Sequence, residues 1–379
     1  MGKITNQMKT IGITGQNGFI GSHLLNHISL LKNEFTLIPF DKTYFQHQRT
    51  LQNWVKKCDV IVHLAAINRH TDSAVIYNTN IDLVRILIEA LESVTHNPHI
   101  IFSSSTQEEK GNLYGRSKQE GRKLLVKWGK ENKACVTGMI VPNVYGPFGK
   151  PFYNSVISTF CHQLCNGLIP TIDNDANLKI IYINELTDAI IQTIKEEKNE
   201  SEYNISHTSE NSVSDLLDRL KSYRDIYLVQ GIIPPLPNRF SVNLFNTFRS
   251  FIDQKSYFPF ILKQNKDQRG IFVEMIKLNL GGQLSFSTTL TGITRGNHFH
   301  TRKIERFIVI KGKALIQLRK YNTNEVLNFE LDGDNPSYVD MPVWYTHNIK
   351  NIGKEDLYTV FWINEFYDDK DPDTFFETV

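Results

Sequence analysis

Two sets of residues in this sequence have the types and spacing that metal binding or proton transfer requires. The first set contains three histidines and one glutamate: His298 and His300 are two residues apart, and Glu305 and His347 follow them. Residues two apart on a β-strand point to the same face, so the first two imidazoles should converge. Imidazole nitrogens and a carboxylate suit a divalent first-row transition metal, and we predict zinc.

The second set is Ser105, Tyr114 and Lys118. Tyr114 and Lys118 are four residues apart, so on a helix they share one face. An ammonium group beside a phenol lowers the phenol pKa and favours proton transfer near neutral pH. Ser105 follows a short apolar run that reads as a strand, and its hydroxyl would orient a substrate oxygen. This set predicts a site of proton transfer.

A strand, a glycine-rich turn and a helix near the N-terminus should position a cofactor beside the second set. The apolar run Thr10–Thr14 precedes three glycines spaced three apart, and a helical pattern covers Ser22–Leu31. Such a turn lets the backbone approach a pyrophosphate at a helix N-terminus, as in dinucleotide sites. The predicted cofactor contacts here and at a later strand end are Gly15, Gly18, Phe19, Ile20, Gly21, Leu64 and Ala65.

The residues after the second apolar run bear on the choice of cofactor. Asp41 lies about 20 residues beyond the glycines, where an acidic residue binds the ribose hydroxyls of NAD. Lys42 follows and would instead pair with the 2′-phosphate of NADP, so both cofactors stay open. His63 lies in a third apolar run, and we interpret it as a buried, hydrogen-bonded histidine rather than a catalytic base.

Length and composition set the class of protein. A chain of 379 residues exceeds one ordinary core, so two domains are expected. Its 40% hydrophobic and 22% charged residues and net charge of +2 are typical of globular proteins and give no nucleic-acid footprint. Without a membrane-length apolar run, an export signal or a Cys-x-x-Cys pair, we expect a cytoplasmic protein with reduced thiols.

The pattern changes to strands after Gly270. Runs such as Ile271–Leu280 and Gln283–Leu290 alternate in the β manner, and further short runs continue to Leu357–Ile363. Short strands without intervening helices predict an antiparallel barrel or jelly roll. We therefore predict a nucleotide-binding domain over residues 1–245, a linker over 246–265 and an all-β domain over 266–379.

The first half resembles the extended short-chain dehydrogenase/reductases that act on nucleotide sugars, over roughly residues 8–245. The resemblance implies a Rossmann-like, doubly wound parallel sheet, catalytic roles for Ser105, Tyr114 and Lys118, cofactor contacts from Tyr114 and Lys118, and a sugar contact from Asn143. The 4,6-dehydratases of that family carry an Asp-Glu pair after the catalytic hydroxyl residue. Thr106-Gln107 stands there instead, which argues against elimination of water.

The second half resembles the cupins. Gly292, His298, His300, Glu305 and Gly312 match their first motif, and Pro342, His347 and Asn351 match their second. Trp344 stands where the family usually has glycine. The resemblance implies that the four residues bind a metal, while a closed four-ligand site would instead be structural. Lys303, Tyr338 and Tyr345 are either proton-shuttle candidates or ordinary packing residues.

Together the halves, including the segments Gly292–His298 and Pro372–Phe376, resemble capsular polysaccharide enzymes of the CapF/WbjC type. The resemblance implies a UDP-2-acetamido-2,6-dideoxy-4-hexulose substrate, C3 epimerisation by the cupin, NADPH-dependent C4 reduction by the first domain, and a homodimer. One alternative is a single-activity reductase whose cupin binds structural metal and dimerises. Another is a sugar-binding or redox-sensing regulator, which the intact Ser105, Tyr114 and Lys118 set disfavours. A third is an iron dioxygenase cupin, which the metal ligands allow and the fusion to a sugar reductase disfavours.

Overall fold

The structure is a computed structural model that describes residues 8–262, 264–267, 270–273, 275–276, 281–365 and 367–379. The chain divides into two compact units. The first is formed by the chain up to Tyr145, with Gly149–Val156 and Ala176–Val213. The second is formed by Gly146–Phe148, Ile157–Asp175 and the chain from Ser214 onward.

The first stretch of chain alternates strands and helices. In order, its elements are β1 (Lys9–Thr14), α1 (Phe19–Leu30), β2 (Phe35–Ile38), α2 (Gln48–Val55), β3 (Val60–His63), α3 (Ser73–Glu92), β4 (His99–Ser105), α4 (Leu113–Asn132), β5 (Val136–Val141), β6 (Asn143–Tyr145), α5 (Val156–Cys165), β7 (Asn177–Tyr182), α6 (Ile183–Glu196), β8 (Tyr203–Asn204) and β9 (Ser209–Ser212).

A parallel sheet with helices on both faces forms the core of the first unit. Its strand order is β2-β1-β3-β4-β5-β8, and all neighbouring pairs are parallel. On one face, Ile13 packs with Leu24 of α1 and Leu186 of α6. On the other, residues of α2, α3 and α4 pack on the alternate strand positions, among them Ile61 and Phe102. The predicted doubly wound Rossmann-like sheet is confirmed.

The later chain begins helical and then becomes all-β. Its elements are α7 (Val213–Tyr223), a π-helix (Arg224–Val229), α8 (Arg239–Arg249), α9 (Gln254–Tyr257), β10 (Phe260–Ile261), β11 (Gln264–Asp267), β12 (Gly270–Val273), β13 (Gln283–Thr289), β14 (Thr294–Phe299), β15 (Glu305–Lys311), β16 (Lys313–Lys320), β17 (Val326–Asp332), β18 (Ser337–Met341), β19 (Tyr345–Asn351), β20 (Leu357–Ile363) and β21 (Phe375–Phe376).

Two antiparallel sheets enclose the core of the second unit. Their strand orders are β10-β18-β15-β20-β13 and β17-β16-β19-β14-β21. Ile308 and Val360 of the first sheet belong to one buried cluster with Ile316, Leu318 and Ile349 of the second. The predicted all-β domain is confirmed in these residues, while residues 274 and 277–280 of the predicted strand Ile271–Leu280 lie outside the described part of the chain.

The predicted linker over 246–265 contains ordered elements in the described residues. It includes the end of α8, all of α9 and strand β10, and Phe248 is fully buried. The division into compact units assigns this segment to the second unit, together with the helical chain from Ser214. Among the described residues, no helix has the length and apolarity to cross a membrane.

Candidate active sites

The glycine-rich turn between β1 and α1 has the backbone geometry of an anion cradle. Gly15 has φ +72°, and a Cβ there would lie 2.8 Å from the backbone nitrogen of Ala65. A Cβ at Gly21 would lie 2.2 Å from the Gly15 carbonyl oxygen. Only glycine fits at both positions. Gly18, before α1, makes no side-chain cap, so N–H groups of the first helical turn can bind an anion.

The two residues that bear on the choice between NAD and NADP lie just beyond β2. The Asp41 carboxylate accepts hydrogen bonds from Thr43 N–H at 2.8 Å and from the Thr43 hydroxyl at 2.7 Å, and these bonds lower its pKa. Lys42 begins the 3-10 helix Lys42–Gln46 and is exposed. Gln16 of the glycine-rich turn donates to the Phe40 carbonyl at 2.7 Å, so the turn and this loop are joined. Sequence reasoning did not single out Gln16.

His63 is a buried structural histidine, as the sequence predicted. Its Nδ1 lies 2.9 Å from the Thr14 hydroxyl, and the same hydroxyl accepts from the Ala65 N–H at 3.2 Å. Burial, with a smaller contribution from Lys118, lowers the pKa of His63 to about 3, so the ring is neutral. The imidazole therefore holds the end of β1 against Leu64 and Ala65, the predicted cofactor contacts.

Ser105, Tyr114 and Lys118 lie at the carboxyl edge of the sheet and on the helix beside it. Ser105 ends β4, and its hydroxyl accepts from the Gln107 N–H at 3.2 Å. Tyr114 and Lys118 lie in α4, whose first turn is capped by Asn112 accepting from the Gly115 N–H at 2.7 Å. The carboxyl ends of β1, β3 and β4 share one edge of a parallel sheet, so these groups and the glycine-rich turn belong to the same edge.

The pKa values of Tyr114 and Lys118 differ from the expectation. Burial raises the pKa of Tyr114 to about 12, and Tyr153 adds to the shift. Burial also lowers the pKa of Lys118 to about 8, against the opposing effect of Glu108, and the Lys118 Nζ lies 4.5 Å from the Phe102 ring centroid. The predicted lowering of the Tyr114 pKa by Lys118 is not what the structure shows, because desolvation dominates both groups.

Glu108 forms a buried ion pair that sequence reasoning missed. Its carboxylate receives two hydrogen bonds from Arg122, at 2.9 and 2.7 Å, and a third from the Ser104 hydroxyl. Arg122 also donates to the Ser201 carbonyl and to Glu202. The pair joins the short 3-10 helix Thr106–Lys110, which contains Glu108, to α4. The available signal was spacing, since Arg122 is four residues beyond Lys118 and continues the same helical stripe.

Asn143, the predicted sugar contact, begins β6 and is exposed. It lies two residues beyond Val141, which pairs with Ser105 across β4 and β5. Its amide donates to the Lys179 carbonyl at 3.4 Å. The backbone therefore brings Asn143 to the same sheet edge as Ser105.

The histidine–glutamate set converges in the second unit. His298 lies on β14, His300 just after it, Glu305 begins β15 and His347 lies on β19, where it pairs with His298. Ligand atoms of all four lie within 4.8 Å of one another. Glu305 Oε2 lies 3.1 Å from the Nε2 atoms of both His300 and His347. The four side chains therefore meet, as their spacing predicts.

The surroundings of the cluster fit a metal. Nδ1 of His300 faces the Asp373 carbonyl and Nδ1 of His347 lies 3.1 Å from the Tyr345 carbonyl, an arrangement that turns both Nε2 atoms inward. Those Nε2 atoms and Glu305 Oε2 are buried without a well-formed hydrogen bond. Burial would raise the pKa of Glu305, but His300 and His347 hold it well below its usual range. Histidine nitrogens together with a carboxylate are a common donor set for zinc.

Trp344 replaces the expected glycine and keeps its backbone conformation. Its φ is +62°, in the left-handed region that favours glycine. The backbone N–H of Trp344 donates to the His300 carbonyl at 2.8 Å, and the Trp344 carbonyl accepts from the backbone N–H of Tyr321 at 2.8 Å. The indole stacks on Phe299 with ring centroids 5.5 Å apart. Packing and hydrogen bonds therefore hold a conformation that the side chain disfavours.

All three proton-shuttle candidates have structural contacts, and Tyr345 packs against the core of the second unit. Tyr338 is fully buried under the Arg306 guanidinium, which lies 3.7 Å from the ring centroid, and burial strongly raises its pKa. Lys303 is buried and donates to the Pro372 carbonyl at 2.5 Å. Tyr345 is partly buried on β19. These contacts favour the packing interpretation for Tyr338 and Lys303.

Family comparisons cover both halves of the chain. The model of the NAD dependent epimerase/dehydratase family matches residues 11–206. The model of the polysaccharide biosynthesis C-terminal domain matches residues 265–375. Each match contains the candidate site residues of its half.

Two relatives match nearly the whole length of the chain, and a third matches part of it. The chain is 30% identical over 365 residues to the UDP-2-acetamido-2,6-beta-L-arabino-hexul-4-ose reductase of Pseudomonas aeruginosa, covering 96% of this chain and 97% of the relative. The crystal structure of the capsular polysaccharide assembling protein CapF from Staphylococcus aureus matches with TM-score 0.62 and 30% identity, over 98% of this chain and 100% of that one. The UDP-N-acetylglucosamine 4-epimerase from Bacillus cereus, at 17% identity and TM-score 0.52 over 64% of this chain and 96% of its own, shares the fold alone.

Proposed function

We propose that this chain, which belongs to the NAD dependent epimerase/dehydratase family and is of the CapF/WbjC type, is a bifunctional nucleotide-sugar enzyme. Its substrate is a UDP-2-acetamido-2,6-dideoxy-4-hexulose. The second unit inverts C3 of the sugar, and the first unit then reduces the C4 ketone with NADPH. The product is UDP-2-acetamido-2,6-dideoxy-L-talose, on the route to UDP-N-acetyl-L-fucosamine for surface polysaccharide.

The reduction uses the edge of the parallel sheet. The bound nicotinamide cofactor supplies the hydride. Tyr114 gives a proton to the C4 oxygen, and a phenol with a raised pKa is in the protonated form that a reduction needs. Ser105 hydrogen-bonds the same oxygen, Lys118 places its charge beside the phenol, and Asn143 contacts the sugar nucleotide.

The backbone around the glycine-rich turn would hold the cofactor. Its pyrophosphate would bind at the start of α1, and Asp41 and Lys42 would meet the adenine ribose, where Lys42 would favour NADPH and Asp41 would favour NADH. The backbone contacts in this proposal are Gly15, Gly18, Phe19, Ile20, Gly21, Leu64 and Ala65.

The epimerisation uses the cluster of His298, His300, Glu305 and His347. The C4 ketone makes the C3 proton acidic, and the reaction removes it and returns it on the opposite face. A divalent metal, which we propose is zinc, would supply positive charge beside the oxygen where negative charge develops. The four side chains would hold that metal, and the burial of His300, Glu305 and His347 restricts access of water to it.

The observation that carries the proposal is the presence of two chemical clusters, one in each unit of a chain that matches a sugar-nucleotide reductase over 96% of its length. A reductase needs only the first cluster. The second, with three inward-facing buried polar atoms, requires its own explanation. The limits 1–245 and 266–379 describe the proposed reductase and metal-binding halves, whereas the compact units assign the chain from Ser214 onward to the second unit. A homodimer and a cytoplasmic location complete the proposal.

The deciding experiment is NMR of the 4-keto sugar nucleotide incubated with the protein in D2O without NADPH. We expect deuterium at C3, and added NADPH should then convert the labelled ketone to the alcohol. If NADPH is consumed but no exchange occurs, epimerisation is excluded. The protein is then a reductase with a structural barrel, an alternative that the closed set of four protein donors favours.

A further inference from the structure

The segment Asp371–Phe376, here called the clasp, lies beside His298 of the histidine–glutamate cluster. Strand β21 pairs with β14, so that Phe376 is opposite His298 and Phe375 is opposite Phe299. The Phe376 ring centroid lies 6.3 Å from that of His298. Residues more than 70 positions apart in the sequence are therefore neighbours at the cluster.

Asp373 is the fixed point of the clasp. Its carboxylate is buried, yet it accepts from three successive backbone N–H groups: Thr301 at 3.0 Å, Arg302 at 2.9 Å and Lys303 at 2.8 Å. The Thr301 hydroxyl donates a fourth bond at 2.7 Å. Consecutive N–H groups that converge on one carboxylate form an anion nest, and charge-assisted bonds of this kind are strong.

The backbone of the same residue contacts a member of the cluster. The Asp373 carbonyl accepts a hydrogen bond from His300 Nδ1, and Nε2 of that ring points toward Glu305 at 3.1 Å. The Asp373 backbone is left-handed, with φ +38°. In this conformation the Asp373 carbonyl faces His300, and its carboxylate faces the N–H groups of residues 301–303. The side chain thus anchors the turn, and the turn aims the carbonyl that orients the imidazole.

We propose that Asp373 is a positioning residue of the cluster and that the clasp and the metal stabilise each other. Losing the carboxylate releases the loop Thr301–Lys303 and frees the His300 ring to rotate, which weakens the metal site. Removing partners that orient metal-bound histidines typically costs about 10–100-fold in affinity. By linkage, bound metal must stabilise the docked clasp by the same factor. This inference rests on the proposed metal at the cluster.

The test compares Asp373→Asn with Asp371→Asn in the full-length protein. Asparagine tolerates a left-handed backbone but presents an NH2 group to the N–H donors of the nest, so the anchor is lost without added strain. Asp371 lies on the same clasp and pairs with Arg302 at 2.9 Å on the exposed side. Its variant removes a clasp contact of similar charge but leaves the nest and the His300 bond intact.

Two measurements separate the possible outcomes. Zinc affinity is measured by competition with a chromophoric chelator, and hydrogen exchange reports the amides of residues 301–303 and 373–376 with and without zinc. We expect Asp373→Asn to lose about 10–100-fold in zinc affinity, to lose protection at residues 301–303 in metal-free protein, and to keep its overall helix and sheet content. Zinc should slow clasp exchange in the wild type, and Asp371→Asn should stay within about threefold of wild-type affinity.

Unchanged zinc affinity in Asp373→Asn, together with lost amide protection, would overturn the inference while leaving the metal site in place. Equal losses in both variants would also overturn it, since a general loosening of the clasp would then be sufficient. A wild-type protein with no zinc affinity would instead remove the metal from the proposed function and the inference with it. Measuring the zinc affinity of the wild-type protein by chelator competition is sufficient to identify that case.

Discussion

Tyr114 and Lys118 lie one turn apart on a single helix, with Ser105 at the end of the neighbouring strand, whereas the histidine–glutamate cluster gathers residues around β14, β15 and β19. Burial shifts the pKa of Lys118 downward, while two imidazoles offset the burial of Glu305. The first site therefore contains one desolvated charge, on Lys118, whereas in the second site the imidazoles stabilise the charge of Glu305. The difference predicts that the two sites respond differently to substitution and to pH.

The largest expected effect is the separation of the two activities by Tyr114→Phe. Losing the phenolic proton should lower NADPH oxidation by about 10²–10⁴-fold, because general acid catalysis contributes that much. Deuterium exchange at C3 should keep its wild-type rate. Tyr153→Phe, which removes the neighbouring phenol, is the matched control and should retain most of the reduction. Loss of both activities in Tyr114→Phe would contradict the division of labour.

The reciprocal variant is His347→Ala. Removing one of the four donors should lower zinc affinity by more than about 100-fold, beyond the loss seen for groups that only orient a ligand. C3 exchange should disappear, while NADPH binding, followed by quenching of protein fluorescence, should not change. Thr346→Ala, at the adjacent buried position of β19, controls for damage to the strand. Normal C3 exchange in His347→Ala would rule out a role for the cluster in epimerisation.

Each unit also contains a buried arginine–carboxylate pair, and these should differ in cost. In the second unit the buried Asp340 carboxylate accepts a hydrogen bond from Arg306 Nε at 2.8 Å. Asp340→Asn leaves Arg306 with the Gly231 carbonyl and the Tyr338 ring, so the free energy of unfolding should fall by about 3–5 kcal/mol. Glu108→Gln should cost less, about 1–3 kcal/mol, because Arg122 keeps other acceptors.

Hydrogen exchange in β15 and in α4 reports the two losses separately. Asp225→Asn, which breaks an exposed pair with Arg224, should change stability by less than about 1 kcal/mol. Equal costs for the two buried pairs would show that the alternative acceptors of Arg122 contribute nothing.

The last prediction concerns the pH dependence of stability that Lys118 causes. Its folded pKa of about 8 lies below the ordinary 10.5, so the unfolded chain binds the extra proton between these values. Burying the charge destabilises the protein below pH 8, and this penalty declines as pH rises toward the unfolded pKa. Lys118→Met should therefore raise Tm at about pH 7 and lose that advantage by pH 10.5, as measured by calorimetry. A constant difference in Tm across this range would contradict the depressed pKa.

Local patterns predicted the parts of the sites that depend on sequence spacing. The glycine-rich turn, the Tyr114–Lys118 pair and the four residues of the cluster could all be found in this way. The full extents of β14 and β19 were missed because some of their inward positions carry histidines, which hide the apolar alternation that marks a strand. Glu108 was missed because its partner Arg122 is distant in the sequence. Asp373 was missed because its partners are backbone N–H groups, which leave no pattern in residue types.

The second unit draws on chain segments made at very different times during synthesis. Helix α5 leaves the ribosome long before α8, yet the Cys165 thiol of α5 donates to the Phe248 carbonyl of α8 at 3.8 Å. Until α8 emerges, α5 lacks this packing partner, and its apolar face needs temporary protection from other chains. Translation that stalls before Arg239 should therefore yield an aggregation-prone intermediate, even when the parallel sheet has already formed.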